Sequence, residues 1–227
     1  MAKFILIGAG PGSREYVTPA ARETVSRASL VIGAERALEL FREDIKGEAC
    51  VLKADNFDEL IQRALRFTQE DKSVAFVSTG DPAFFGLLKP LLEKSPNDLQ
   101  IDIVPGISSV QILTSRLQIN LDEIGLFISF HGRPDPEKSK LAEAIGNGKL
   151  AVILPDPRSF QPDQIARYLI EAGINPTTPA AVCENLTYPN ERVTESDLLM
   201  LSSKKFGPMC IMVVGAWTRR RLRGSGR

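Results

Sequence analysis

The sequence predicts an α/β protein: two α/β domains in tandem, each a mixed sheet flanked by helices. Three observations predict it. Short apolar runs alternate with amphipathic stretches along most of the 227 residues, and strand alternating with helix means a largely parallel sheet covered by helices. Four amphipathic stretches open on an X-Pro pair, Thr18-Pro19, Asp81-Pro82, Asp135-Pro136 and Gln161-Pro162, where Pro fits because the first helical N–H has no partner in any case. The composition, 43% hydrophobic and 25% charged, is that of an ordinary globular chain, and no apolar run approaches the roughly 18–20 residues that cross a bilayer.

The first strand is the run Phe4–Ile7, which ends in Gly8-Ala9-Gly10-Pro11-Gly12-Ser13. A helix follows over Pro19–Ala28, with Thr18 as its N-cap. Then come a strand at Leu30–Gly33, a helix at Arg36–Arg42, a strand at Ala49–Leu52 and a helix at Phe57–Phe67. In that helix Leu60, Ile61, Ala64, Leu65 and Phe67 make one apolar stripe. A strand at Val74–Ser78, a helix at Phe84–Leu92, a strand at Ile101–Val104 and a helix at Ile107–Leu117 complete the first half.

The pattern weakens at Gln118–Leu121, where the first domain, 1–117, is expected to hand over to the second, 118–217. Strands are expected there at Gly125–Phe130, Ala151–Leu154, Ala180–Cys183 and Cys210–Val214, with a short extra strand at Glu191–Thr194. Helices are expected at Pro136–Ile145 and Pro162–Ala172.

Composition excludes several functions. The three cysteines, Cys50, Cys183 and Cys210, are scattered without metal-type spacing, which fits core residues in a reducing, cytoplasmic setting. One histidine, His131, and no Cys pair speak against a zinc site. Only four apolar residues follow Lys3 before Gly8, so no signal peptide is expected. The last ten residues, 218–227, hold five of the 28 Lys and Arg and none of the 28 Asp and Glu. That basic tail is expected to be a solvated, disordered end, and the net-acidic remainder lacks the basic face of a nucleic-acid binder.

Three Gly/Pro loops follow three apolar strands. The first, Gly8–Ser13, is neither a dinucleotide fingerprint nor a Walker loop. Ser13 stands where the last Gly should, Pro11 has no N–H for a phosphate, and no Gly-Lys-Ser/Thr follows. The second is Ser78-Thr79-Gly80-Asp81-Pro82-Ala83-Phe84-Phe85-Gly86. Gly80 allows close approach to the backbone, and Asp81 is placed to cap a helix by accepting from the Phe84 amide. The third, Val104-Pro105-Gly106-Ile107-Ser108-Ser109-Val110, has the start of a nucleophile elbow but Val110 in place of its last Gly. A serine hydrolase on Ser108 would need His131 as base.

Together, and in this order, the three loops resemble the tetrapyrrole methylase family. Its members carry a G-x-G-P-G loop with a Thr-Pro helix start, then Gly-Asp-Pro, then Val/Ile-Pro-Gly-Ile/Val-Ser/Thr-Ser/Ala. Two later segments, Ser129-Phe130-His131-Gly132-Arg133-Pro134 and Cys183–Arg192, look like the branch that methylates carbon 5 of a corrin precursor in cobalamin biosynthesis. Phe130, Thr187 and Asn190 depart mildly from that branch, which has Leu, Gly and Asp there. A bifunctional relative adds a second methyltransferase domain for which these 227 residues leave no room. The resemblance therefore implies the single-step enzyme, and the missing domain leans toward a cobalt-containing substrate of the cobalt-precorrin-7 type rather than precorrin-6B.

The resemblance implies a donor, S-adenosylmethionine, held in a cleft between the domains, no metal, a homodimer, and an anionic macrocycle as acceptor. Matched residue by residue, the donor contacts fall on Pro11, Thr79, Gly80, Asp81, Phe84, Ser108 and Ser109, and on Leu154, Pro155, Leu186, Pro208 and Met209. Asp81 is expected to stay ionised near the donor's positive groups. Arg14, Arg116, Arg133 and Arg158 are candidates to meet the macrocycle's carboxylates. His131 is the candidate to relay the proton lost after methylation. Rival functions are another methylase of the same fold that takes a macromolecule (a diphthine synthase or rRNA ribose methylase), the serine hydrolase, and an RNA-binding protein led by the Arg tail.

Overall fold

The structure is a computed structural model that describes residues 3–97, 99–131 and 135–217, with Asp135 and Pro136 described as backbone only. Arg133 and the basic tail 218–227, both singled out by the sequence, lie outside the described residues. The chain forms two compact units that divide between Ser109 and Val110. The sequence pattern put the junction later, after residue 117.

The first unit holds five parallel strands in the order β3-β2-β4-β1-β5. They are β1 (Phe4–Gly8), β2 (Leu30–Gly33), β3 (Glu48–Val51), β4 (Val74–Ser78) and β5 (Ile101–Val104). The helices between them are α1 (Pro19–Arg27), α2 (Glu35–Leu40), α3 (Phe57–Gln69) and α4 (Leu88–Lys94). The continuous apolar runs are explained by burial on both faces. Ile5, Ile7, Val31, Ala75 and Val77 face one core with Ala21 and Val25 of α1 and Leu38 of α2. Phe4, Leu6, Leu30, Ile32, Val74 and Phe76 face the other, with Leu60, Ile61 and Ala64 of α3 and Leu91 of α4. Phe4 stacks on Phe76 with ring centres 5.1 Å apart. Thr18 caps α1 as expected, its hydroxyl accepting from the Ala21 amide at 3.2 Å.

The helix expected over Phe84–Leu92 begins only at Leu88. Asp81 does not cap it through Phe84. Its carboxylate Oδ1 accepts from the Ala83 amide at 2.8 Å, and the Phe84 amide donates to the Asp81 carbonyl at 3.3 Å. Phe85 then enters the left-handed region at φ 53°, and Gly86 packs so closely on Asp81 and Pro82 that a Cβ would sit 2.7 Å from backbone atoms of both. The chain makes a compact turn before the helix can start.

In the second unit, helix α5 (Ser109–Leu117), which begins in the first, leads to a mixed sheet of order β6-β7-β10-β8-β9. Its strands are β6 (Ile124–Ser129), β7 (Leu150–Leu154), β8 (Pro179–Glu184), β9 (Arg192–Asp197) and β10 (Cys210–Val214). The β6–β7 pairing is parallel, whereas β10 is antiparallel to both its neighbours and β9 to β8. Helices α6 (Asp135–Gly146), α7 (Pro162–Glu171) and α8 (Leu198–Leu201) share one core with alternate strand residues such as Ile128, Ile153, Val182 and Met212. The α8 turn was not expected, because four residues carry no period. Asp197 marks it, its carboxylate accepting from the Met200 amide at 2.8 Å.

Candidate functional site: two clusters of strand-end loops

Strands β4, β1 and β5 are neighbours, with Gly8 paired to Ser78 and Ile7 to Val104. Parallel order puts all three following loops at one end of the sheet, where open α/β sheets bind ligands. The loops meet backbone to backbone at glycine. A Cβ on Gly8 would lie 2.4 Å from the Gly106 nitrogen, and one on Gly106 would lie 2.3 Å from the Gly80 carbonyl oxygen. No side chain can stand at either place without moving the main chain. Gly10 and Gly80 exchange two hydrogen bonds, Gly80 N to Gly10 O at 2.8 Å and Gly10 N to Gly80 O at 3.2 Å. The Asp81 carboxylate closes the set: Oδ2 accepts from the Gly106 amide at 3.1 Å.

This arrangement places the expected residues as follows. Pro11 is half-buried just past the Gly10–Gly80 bridge, and Thr79 is exposed. Gly80 has φ 69°, and a Cβ there would meet nothing nearer than the Ser108 Cα at 3.9 Å. The wall beside Gly80 is therefore bare backbone. Phe84 is half-buried and packs edge-on against Phe85 at 4.9 Å. Ser108 is buried and Ser109 opens α5. No Lys or Arg occurs in 8–13, 78–86 or 104–109; the one ionisable side chain is Asp81, and both its oxygens are engaged by amides.

The second unit gathers its expected residues at one end of its own sheet. Register pairs Ser129 with Leu154, Met212 with Ile153 and Cys210 with Glu184. His131, Leu154-Pro155, Leu186 and Pro208-Met209 therefore leave the sheet at the same end. The Phe130 amide donates to the Leu154 carbonyl at 3.0 Å, and the Asn185 amide to the Met209 carbonyl at 2.9 Å. The loop after β8 is tightly built, with both Asn185 (φ 50°) and Thr187 (φ 72°) in the left-handed region. Two carboxylates support it. Glu184, 4% exposed, accepts from Arg192 and from the Gly207 amide. Glu191 accepts from the Thr187 amide at 2.6 Å and from Arg116 through both oxygens, at 2.5 and 3.2 Å. The Arg116 hydrogen bond holds the Glu191 carboxyl below the usual carboxylate range.

The arginines separate. Arg14 pairs with Glu43 at 2.6 Å and lies 3.9 Å from Asp44, and Arg116 is bound by Glu191. Arg158 is exposed, and among the described residues its guanidinium has no acidic partner; its backbone amide donates to the Asp156 carboxylate at 2.9 Å. His131 Nδ1 lies 3.0 Å from the Ser129 hydroxyl. Partial desolvation lowers the His131 pKa although the residue keeps an exposed surface, and the Asp156 carboxylate opposes the shift. Burial pushes the Cys183 and Cys210 thiols up to about 12, so neither is a nucleophile at neutral pH. Sequence reasoning missed Gly8, Gly106, Glu184, Glu191 and Arg192. The signal for the glycines was one Gly in each loop on three adjacent strands; for Glu184 and Arg192 it was their spacing across a tight turn.

The comparisons agree with this geometry. Residues 3–201 match the model of the tetrapyrrole (corrin/porphyrin) methylases. The chain is 37% identical, over 92% of its length and 95% of the relative's, to a probable cobalt-precorrin-7 C(5)-methyltransferase of Methanocaldococcus jannaschii. The crystal structure of a cobalamin-biosynthesis precorrin-6Y methylase from Archaeoglobus fulgidus superposes with TM-score 0.71 at 27% identity, covering 95% of this chain and 99% of that one. A uroporphyrin-III C-methyltransferase from Thermus thermophilus, solved with S-adenosylhomocysteine, shares the fold at TM-score 0.71 and 22% identity, over 94% of this chain and 92% of that one. The chain belongs to the tetrapyrrole (corrin/porphyrin) methylase family.

Proposed function

We propose that this protein transfers a methyl group from S-adenosylmethionine to carbon 5 of a corrin precursor of the cobalt-precorrin-7 type, a step of cobalamin biosynthesis. The observation that carries this is the 37% identity, near full length on both sides, to the M. jannaschii C(5)-methyltransferase. The cobalt would belong to the substrate.

The residues of the first unit fit such a donor. When bound, S-adenosylmethionine supplies an electrophilic methyl on a sulfonium, so displacement needs alignment more than acid or base, and oriented confinement contributes ~7–11 kcal/mol to such steps. The loops offer bare backbone beside Gly80, no cation to repel a sulfonium, and Asp81 as the single anion. The proposed donor contacts in the first unit are Pro11, Thr79, Gly80, Asp81, Phe84, Ser108 and Ser109, and the family resemblance adds Leu154, Pro155, Leu186, Pro208 and Met209 in the second. Arg158 and Arg133 meet carboxylates of the acceptor, and His131 takes up the proton released from the methylated carbon. Asp81 acts on the donor chiefly by holding two turns together. The same proposal carries a cytoplasmic homodimer with no resident metal and no nucleic-acid partner; scattered cysteines support the compartment and the lack of a metal, a net-acidic body over 1–217 the lack of a nucleic-acid partner, and the homodimer follows from the family resemblance.

Anaerobic incubation with cobalt-precorrin-7 and S-adenosylmethionine labelled with ¹³C in the methyl group tests the proposal. The product should gain one labelled methyl, placed at carbon 5 by NMR, with one S-adenosylhomocysteine released per turnover. Labelling at another ring carbon would contradict the assignment.

A further inference from the structure

The geometry points to Glu184 as a positioning residue for the donor-binding loops of the second unit. This inference rests on the proposed function, and it concerns a residue that touches neither donor nor acceptor there. Glu184 ends β8, and its carboxylate is 5% exposed. Burying a carboxylate is costly unless both oxygens are satisfied, and here each oxygen holds a different segment. Oε2 takes the Arg192 guanidinium, at 2.7 Å from Nε and 2.5 Å from the terminal nitrogen, and so fixes the far end of the 185–191 loop at its register partner on β9. Oε1 accepts from the Gly207 amide at 2.8 Å.

The choice of Gly207 follows from chemistry. The next residue, Pro208, has no N–H, so Gly207 carries the last amide before Met209. The neighbouring bond, Asn185 N to Met209 O, runs the other way between the same two segments. Leu186 and Pro208-Met209 thus hang from one buried carboxylate on either side of the sheet end. Loss of that carboxylate frees the Gly207 amide and leaves the Asn185–Met209 bond to join the two segments, which loosens them while the side chains of Leu186 and Met209 remain.

The test compares Glu184→Ala, Glu184→Gln and Arg192→Gln with the unsubstituted protein. Two readouts are used: hydrogen exchange without ligand, and S-adenosylhomocysteine affinity by calorimetry on samples that melt in one transition. Glu184→Ala should speed exchange in 185–192 and 206–210 at least ten-fold, leaving 4–8 and 74–78 unchanged. It should weaken S-adenosylhomocysteine about ten-fold and raise the donor KM by a similar factor, with kcat at saturating donor within about two-fold. Arg192→Gln, which spares the Gly207 bond, should weaken binding less than three-fold. If Glu184→Ala does not fold, Glu184→Gln carries the test: its single acceptor oxygen goes to the charged Arg192 guanidinium, its amide nitrogen then faces the Gly207 N–H and that bond is lost, and about a five-fold loss is expected. A folded Glu184 variant with affinity within two-fold of the parent, or with unchanged exchange at 206–210, would overturn the inference. Failure of the unsubstituted protein to bind S-adenosylhomocysteine would instead overturn the proposed function, and the exchange readout needs no donor.

Discussion

The Asp81 carboxylate accepts a hydrogen bond from the Gly106 amide at 3.1 Å, joining the turn after β4 to the turn after β5 across the end of β1. Its other oxygen takes the Ala83 amide. Hydrogen bonds to a charged acceptor are worth roughly 1.5–3 kcal/mol where burial shields them, and Asp81 is only half-buried. Asp81→Ala should therefore cost about 1–2 kcal/mol in denaturant unfolding and weaken S-adenosylhomocysteine in calorimetry. Asp81→Asn, which keeps one acceptor, should fall between. Equal stability and affinity in all three proteins would remove the bridging role.

Backbone contact between glycines sets a steeper requirement. Gly106→Ala would put a methyl 2.3 Å from the Gly80 carbonyl oxygen and 2.7 Å from the Gly8 Cα, with no flexible side chain to yield. The loss should be roughly 3 kcal/mol or more, at the upper end of overpacking effects. Gly146→Ala, at the end of α6, meets nothing nearer than 3.7 Å and should be neutral or stabilising by up to ~1 kcal/mol. Thermal melts of the pair distinguish loop contact from a general intolerance of added methyls.

Arg158 and Arg14 should differ in kind. Arg14 is committed to Glu43 and Asp44, whereas Arg158 is available. Arg158→Gln should raise the KM for the corrin acceptor several-fold with donor affinity unchanged, and Arg14→Gln should leave both nearly as they were. Steady-state kinetics with each substrate varied in turn decides this. An acceptor KM unmoved by Arg158→Gln would return that residue to the solvated surface.

The single histidine gives a clean titration. Partial desolvation lowers the His131 pKa below its ordinary 6.5, so the folded state binds its proton less readily than the unfolded chain. The contribution to stability is thus complete above about pH 6.5 and is lost as pH falls through the lower folded value. Proton NMR of the imidazole should show a midpoint below 6.5. His131→Asn should flatten the stability profile in that window, where a midpoint at or above 6.5 would contradict the partial desolvation of the ring.

Much of the fold was legible because its signals are local. Apolar runs buried on two faces gave β1, β2 and β4, and Thr18-Pro19 gave the start of α1. What the sequence hid depended on contacts distant along the chain. Asp81-Pro82 has the look of a helix start, yet Phe85 and Gly86 turn the chain first, and the carboxylate is spent on Gly106, 25 residues away. Arg116 reads as a free cation until Glu191, 75 residues on, is folded against it. Gly8 and Gly106 declare their role only once β1 and β5 are paired.

The most direct measurement is calorimetric titration of S-adenosylhomocysteine into the protein and into Gly80→Val, each checked by its thermal transition. If the donor lies against the bare backbone at Gly80, the unsubstituted chain should bind one equivalent at micromolar concentration, and the valine should weaken binding at least ten-fold. No heat of binding to the unsubstituted chain, or equal affinity in the folded Gly80→Val protein, would contradict a donor held on that wall.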